Sequence, residues 1–163
     1  MARRLKPVNL DFAESAPLRL VFAREVSADP AAVHRALADD LAGWPKWFTA
    51  VTLCRPVDGG KAREVRLMGG TRFRETILAA EAPHRYAYRV DETNAPGPRA
   101  LVEEWLLSPA GTGTRVQWTV AADGPAPFRF LLRAGRAGLG RSLRGAVTNL
   151  DRRLTAAGGR DRG

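Results

Sequence analysis

Thr114-Arg115-Val116-Gln117-Trp118-Thr119-Val120-Ala121-Ala122-Asp123-Gly124-Pro125 is the stretch that decides the fold. Its first part alternates, so Val116, Trp118 and Val120 share one face of a strand from Thr114 to Ala121. After Asp123-Gly124-Pro125 the period lengthens to about 3.6 residues. Leu132, Leu139, Leu143, Val147, Leu150 and Leu154 recur at helical spacing, with Arg129, Arg133, Arg136, Arg141, Arg144, Arg152 and Arg153 filling most of the rest. That predicts an amphipathic helix of about 30 residues, roughly 45 Å long. Gly135, Gly138, Gly140 and Gly145 are out of place inside it, at about 1 kcal/mol each relative to Ala. Either the helix bends there, or its backbone passes close to something bulky.

Upstream of this stretch the period is two. Leu18, Leu20, Phe22 and Val26 fit a half-buried first strand over 18–26. Asp29-Pro30 opens a helix through Val33, Ala36 and Leu37, since Asp caps and Pro suits the first turn. A second helical turn holds Trp44, Pro45, Trp47 and Phe48. Strands then follow around Val51–Leu53, Val65–Leu67, Thr71–Glu81, Tyr86–Val90 and Leu101–Leu107, before the one ending at Ala121. Asp58-Gly59-Gly60, Gly69-Gly70, Pro83-His84, Asn94 to Pro98 and Pro109 to Gly113 separate them. Every connection among the six strands after the first is too short for a parallel crossover, so that run is antiparallel, and with the first strand the sheet is read as seven-stranded and antiparallel. The class is α+β, with a bent sheet wrapped around one long C-terminal helix and two short helices between strands 1 and 2. Residues 1–16 show no period and are expected to be a loose arm; 17–155 form a single domain, and 156–163 a disordered tail.

Four segments, in this order, resemble the START-related helix-grip superfamily called SRPBCC, which includes polyketide cyclases and the birch-pollen allergen. They are Ala28-Asp29-Pro30-Ala31-Ala32-Val33, Trp44-Pro45-Lys46-Trp47-Phe48, Glu103-Glu104-Trp105-Leu106-Leu107 and Gly111-Thr112-Gly113-Thr114-Arg115-Val116. The chain is most similar to the small bacterial members described as polyketide cyclase/dehydrase-like, over about residues 17–155. None of the segments is a catalytic fingerprint. The resemblance implies a helix-grip fold with a deep apolar cavity between sheet and C-terminal helix. Some relatives are cyclases or aromatases, and many only bind or carry lipids.

The 163 residues include one cysteine and two histidines, which excludes an internal disulfide framework and a cysteine- or histidine-rich metal site. No metal and no cofactor are expected. No apolar run approaches a membrane span, and the opening residues lack a signal peptide's apolar stretch, so the chain reads as cytoplasmic. The net charge is +9. Residues 125–163 hold nine arginines against Asp151 and Asp161, while 1–124 are nearly balanced. Because 23 of the 26 basic residues are Arg, GC-rich coding explains this excess as well as a functional basic face does.

His34 is expected to be exposed and idle on the first helix, and His84 to sit in a turn. Cys54 reads as a small packed residue. The glycine pairs lack the strand–loop–helix setting of a phosphate loop. Glu75 and Glu103 are more informative. If Phe73 and Ile77 point inward, so does Glu75. Pairing through the 109–113 turn sets Leu107 near Thr114, Trp105 near Val116 and Glu103 near Trp118, which aims Glu103 at the same cavity. Arg72 and Arg74 then point outward, and Tyr86 and Tyr88 share the inner face as possible donors. A buried carboxylate needs a partner or a proton. These four residues are candidate acid–base groups or polar anchors for a ligand, or else a structural hydrogen-bond network. A glutamate held by an arginine would have a depressed pKa and a structural role.

The candidate binding residues are Trp47, Phe48, Phe73, Glu75, Tyr86, Tyr88, Glu103, Trp105, Trp118, Leu132, Gly135 and Leu139, with Gly138 as a further candidate lining position. Three functional classes remain open. The first is a module holding a polyketide, lipid or isoprenoid-like molecule. The second is a cyclase, aromatase or dehydratase using the inward carboxylates and tyrosines. The third is an interaction protein whose Arg-rich helix docks on an anionic membrane or acidic protein, with Phe128 and Phe130 inserting. Nucleic acid is disfavoured, because no recognised motif accompanies the arginines.

Overall fold

The structure, a computed structural model, describes residues 1–160. The elements are β1 (Arg3–Arg4), α1 (Phe12–Ser15), β2 (Leu18–Val26), α2 (Pro30–Ala38), α3 (Trp44–Trp47), β3 (Val51–Val57), β4 (Ala62–Leu67), β5 (Arg72–Glu81), β6 (Arg85–Thr93), β7 (Ala100–Ala110), β8 (Gly113–Asp123), α4 (Ala126–Ala134) and α5 (Arg136–Arg160). Seven strands form one antiparallel sheet in the order β2-β8-β7-β6-β5-β4-β3. The two-residue β1 adds to β6.

Local chemistry accounts for the helix starts. Asp29 Oδ1 accepts the Ala32 N–H at 2.9 Å, and Pro30 occupies the first turn of α2. The expected C-terminal helix is present but bent: α4 ends at Gly135, whose φ/ψ of −76° and 1° interrupts the helical run before α5. Leu143, Ala146, Val147 and Leu150 of α5 are buried against the sheet. Asp151 fastens α5 to the corner between β2 and α2. Its carboxylate accepts from Ser27 N at 3.1 Å, Ser27 Oγ at 2.7 Å and Ala28 N at 2.8 Å. Burial opposes this charge, but the Ser27 and Ala28 hydrogen bonds outweigh it and hold the carboxyl below its ordinary range.

Four expectations are corrected. The β7–β8 register is Leu107 with Val116, Trp105 with Trp118 and Glu103 with Val120. Both strands run further than read, to Ala110 and Gly113, so Gly111-Thr112 alone makes the turn, with Gly111 at φ 58°. The two-residue shift preserves parity, and Glu103 stays on the inner face. Residues 1–16, read as a loose arm, instead lie against the sheet. Ala13 packs with Val102 and Ala121, the outward residues of β7 and β8, and Leu5 N–H donates to Asp91 O at 2.8 Å. His34 is buried, not exposed: it lies one turn before Leu37 on the flank of α2, and its Nε2 is 3.0 Å from Arg85 O. Residues 156–160, read as part of the tail, continue α5, and the remainder of that tail lies outside the described residues.

Candidate functional site

The inner face of the sheet, α3, α4 and α5 enclose a cavity of about 290 Å³. Its walls are mostly apolar. Trp44 and Phe48 come from α3 and its end, Val65 and Leu67 from β4, Trp118 and Val120 from β8, and Phe128 and Leu132 from α4. The α4 wall fits closely. A Cβ added to Gly124 would lie 2.5 Å from Phe128 Cδ1 and 2.7 Å from Gly97 O, and Gly97 itself (φ +105°) abuts the same ring. Only glycine lets the ring settle there.

One end of the cavity is polar. Arg63, Glu75 and Glu103 converge on it from β4, β5 and β7, with Tyr88 of β6 beside them. Arg63 and Glu75 are direct cross-strand partners, and Arg63 Nε donates to Glu75 Oε2 at 2.5 Å. Both are almost completely buried. The guanidinium lies 3.7 Å from the Tyr88 ring centroid and 4.4 Å from that of Trp44, so aromatic faces complete its shell. Glu103 Oε2 accepts from the Tyr88 hydroxyl at 2.7 Å and from Trp118 Nε1 at 2.9 Å. Trp105 Nε1 in turn donates to the Tyr88 oxygen at 3.1 Å. This chain fixes the hydroxyl's direction: with its oxygen accepting from Trp105, the Tyr88 proton goes to Glu103.

One carboxyl, Glu75, therefore pairs with the guanidinium, and the second, Glu103, feels its charge without an ion pair to it among the described residues. Burial pushes the Glu75 carboxyl up to about 7; Arg63 opposes that rise, and the nearby Glu103 adds to it. Burial also raises Glu103, against the hydrogen bonds of Tyr88 and Trp118 and the charge of Arg63. The expectation that an arginine partner would depress the glutamate pKa is thus corrected, because desolvation outweighs the ion pair here. Arg63 stays charged: burial works against it, but Glu75 and the tyrosines more than compensate. Burial drives Tyr88 well above its ordinary range, which keeps it a donor. Cys54, packed nearby, is pushed by burial to about 11 and is no thiolate at neutral pH. Among the described residues no cluster of three or more His, Cys, Asp or Glu could hold a metal ion.

Of the residues singled out from sequence, Phe48, Phe73, Glu75, Tyr88, Glu103, Trp118, Leu132 and Leu139 line the cavity. Trp47, Tyr86 and Trp105 are buried behind that wall. Trp105 stacks on Trp118 with ring centroids 5.5 Å apart, and Trp47 meets Trp44 at 4.8 Å. Gly135 sits at the helix bend with an added Cβ nearest Leu131 O, and Gly138 faces open space, so neither touches the cavity. Arg63 is the charged site residue that the sequence reading misses, and Trp44, Val65, Leu67, Val120 and Phe128 are apolar wall residues outside its candidate set. A signal for Arg63 exists, because it shares its strand phase with Val65 and Leu67.

Residues 17–155 match the family described as "Polyketide cyclase / dehydrase and lipid transport". The chain belongs to that family. Solved structures similar to this polyketide cyclase/dehydrase and lipid transport family member include TTHA0849 from Thermus thermophilus, at 26% identity and TM-score 0.65, covering 86% of this chain and 99% of that one. A START superfamily protein from Mycobacterium smegmatis has 13% identity and TM-score 0.66, covering 85% and 98%. Ara h 8.0201 has 14% identity and TM-score 0.65, covering 85% and 98%. The last two likenesses bear on the fold alone. A search of curated proteins finds no match to this family member.

Proposed function

We propose that the protein binds one apolar small molecule, of polyketide, lipid or isoprenoid type, and orients an oxygen of that molecule at the Arg63–Glu75–Glu103 end of the cavity. The observation that carries this reading is an apolar enclosure of about 290 Å³ with its charged groups gathered at one end. That is the usual design of a small-molecule site, near the lower end of the usual size range. Glu103 Oε2 is occupied by Tyr88 and Trp118, and no hydrogen bond engages Oε1 among the described residues. A ligand hydroxyl would donate to that free oxygen, and a carbonyl would accept from it when Glu103 is protonated.

The raised Glu75 and Glu103 favour a second reading, an enzyme of cyclase or dehydratase type. A carboxyl near 7 is matched to proton transfer at neutral pH, and a donated proton would assist enolisation or loss of a hydroxyl. Binding comes first in both readings. Native mass spectrometry of the protein as purified, with titration by 1-anilinonaphthalene-8-sulfonate, tests it. The expected results are a co-purified or titrated molecule at one per chain and its loss in Leu132→Trp, which fills the cavity from α4. Unaltered probe binding in Leu132→Trp would exclude this cavity as the site.

A further inference from the structure

We infer that the outer side of α4, with the arginine-lined groove that follows it, is a docking surface for an anionic phospholipid bilayer. The inference goes beyond the ligand reading and does not require it.

The α4 helix has no fully buried residue. Phe128 and Leu132 turn inward to the cavity. Phe130 and Leu131 turn outward and are 69% and 68% exposed. Among the described residues only Met1 and Met68 are other large apolar side chains so exposed. Sequence alone pairs Phe128 with Phe130 as inserting residues; the structure replaces that pair with Phe130 and Leu131, because Phe128 is seated against Gly97 and Gly124. One turn after Phe130, Ala134 opens onto a shallow groove between β2 and α5 lined by Arg136, Arg141 and Arg144. Arg129 and Arg133 lie on the other flank of α4, by the angular spacing of a helix.

The charge is one-sided. From Ala126 to Leu150 there are five arginines and no carboxylate. None of the five enters an ion pair among the described residues. The next acid, Asp151, is engaged by Ser27 and Ala28. Arg136 is partly committed, donating to Val21 O at 3.0 Å and lying 4.9 Å from the Phe22 ring centroid. Arg133, Arg141 and Arg144 are exposed.

Exposed apolar side chains flanked by arginines match the interface between acyl chains and anionic headgroups. A nucleic acid would use the arginines but gives Phe130 and Leu131 no apolar phase to enter, and an acidic protein would need an apolar pocket shaped to both side chains. A bilayer uses both, and an apolar ligand in the cavity would then be separated from the lipid by α4 alone.

The test is co-sedimentation of the full chain with phosphatidylcholine vesicles with or without 30% phosphatidylglycerol, at low and high salt. Binding is expected only with the anionic lipid, weakening as salt rises. Arg133→Gln and Arg141→Gln should each lower the partition coefficient about fivefold, the scale for one basic residue at an anionic surface. Phe130→Ser with Leu131→Ser should lower it at least tenfold by order of magnitude, leaving the thermal midpoint unchanged because both side chains are exposed. Binding without dependence on anionic lipid, or insensitive to Phe130 and Leu131, overturns the proposal. So does equal binding to a duplex oligonucleotide with the same salt dependence. Probe binding in solution reads the cavity separately, so failure of one reading is distinguishable from failure of the other.

Discussion

Arg63→Met removes the one cation from the polar end of the cavity, and its effect should depend on pH. Breaking a buried ion pair from one side costs about 3–5 kcal/mol, since the remaining charge is left without a partner. Against a domain stability of roughly 5–15 kcal/mol, that is large but survivable. The remaining group can also take up a proton. Glu75 already sits at about 7 with Arg63 present, above its ordinary 4.5. Without Arg63 it rises further, because burial and the Glu103 and Asp91 charges all raise it and nothing opposes them. The sign follows from linkage. A carboxyl raised in the folded state contributes stability below its unfolded pKa, and that stability is lost as pH climbs through the folded value. In the native chain the decline therefore runs from about 4.5 to 7. In Arg63→Met it should continue to higher pH, making the deficit larger at pH 8.5 than at pH 5.5 by about 1–2 kcal/mol, at roughly 1.4 kcal/mol per pKa step. Urea unfolding followed by far-ultraviolet circular dichroism measures both. The double variant Arg63→Met/Glu75→Leu, which replaces the pair with apolar volume, should recover most of the loss. A deficit under about 1 kcal/mol at pH 8.5, the same deficit at both pH values, or a double variant weaker than the single one would refute the reasoning.

Glu75→Gln should flatten most of the native decline between pH 4.5 and 7, a change of roughly 3 kcal/mol, in urea midpoints taken across that window. The residual slope should keep the same sign, because Glu103 is raised too. Gly124→Ala forces Phe128 off its seat, so a loss of about 1–3 kcal/mol and faster release of a bound fluorescent probe are expected by calorimetry and stopped flow. Asp151→Asn weakens the hook on Ser27 and Ala28 and should cost about 1–3 kcal/mol at pH 6 in thermal melts. Because the Asp151 carboxyl is lowered, its contribution is present above its ordinary 3.8 and is lost as pH falls through the lower folded value, so the difference should shrink in acid.

The fold is legible in the sequence because its signals are periodic. The change of period at Pro125 separates sheet from helix, and the turn residues delimit the strands without knowledge of the partners. The register of β7 and β8 is less legible, since the turn between Ala110 and Gly113 is tighter than its Pro-Gly-rich sequence suggests. His34 escapes a sequence reading because it stands on the flank of α2, where neighbouring β6 supplies a carbonyl that helical periodicity alone does not reveal. At the candidate site, alternation carries Glu75, Glu103, Tyr88 and Trp118 inward. It carries Arg63 inward too, but a charge on a strand reads as solvated until its direct pairing with Glu75 is known. The cover over Val102 and Ala121 leaves a trace as well. Consecutive apolar residues in β7 and β8 mark strands buried on both faces, and α1 supplies the second cover.

The placement of the indole rings has an optical consequence. All four tryptophans belong to one contiguous cluster: Trp47 touches Trp44, both meet Trp105 edge-on, and Trp105 lies nearly parallel to Trp118 at an interplanar angle of 20°. Transitions on rings this close couple, so the near-ultraviolet dichroism should carry an exciton signature specific to that stack. Trp44 and Trp118 form part of the cavity wall, so any molecule entering it changes the dielectric and the tilt felt by the whole set. The chain thus has a built-in chromophore for occupancy, with no tryptophan elsewhere to dilute it.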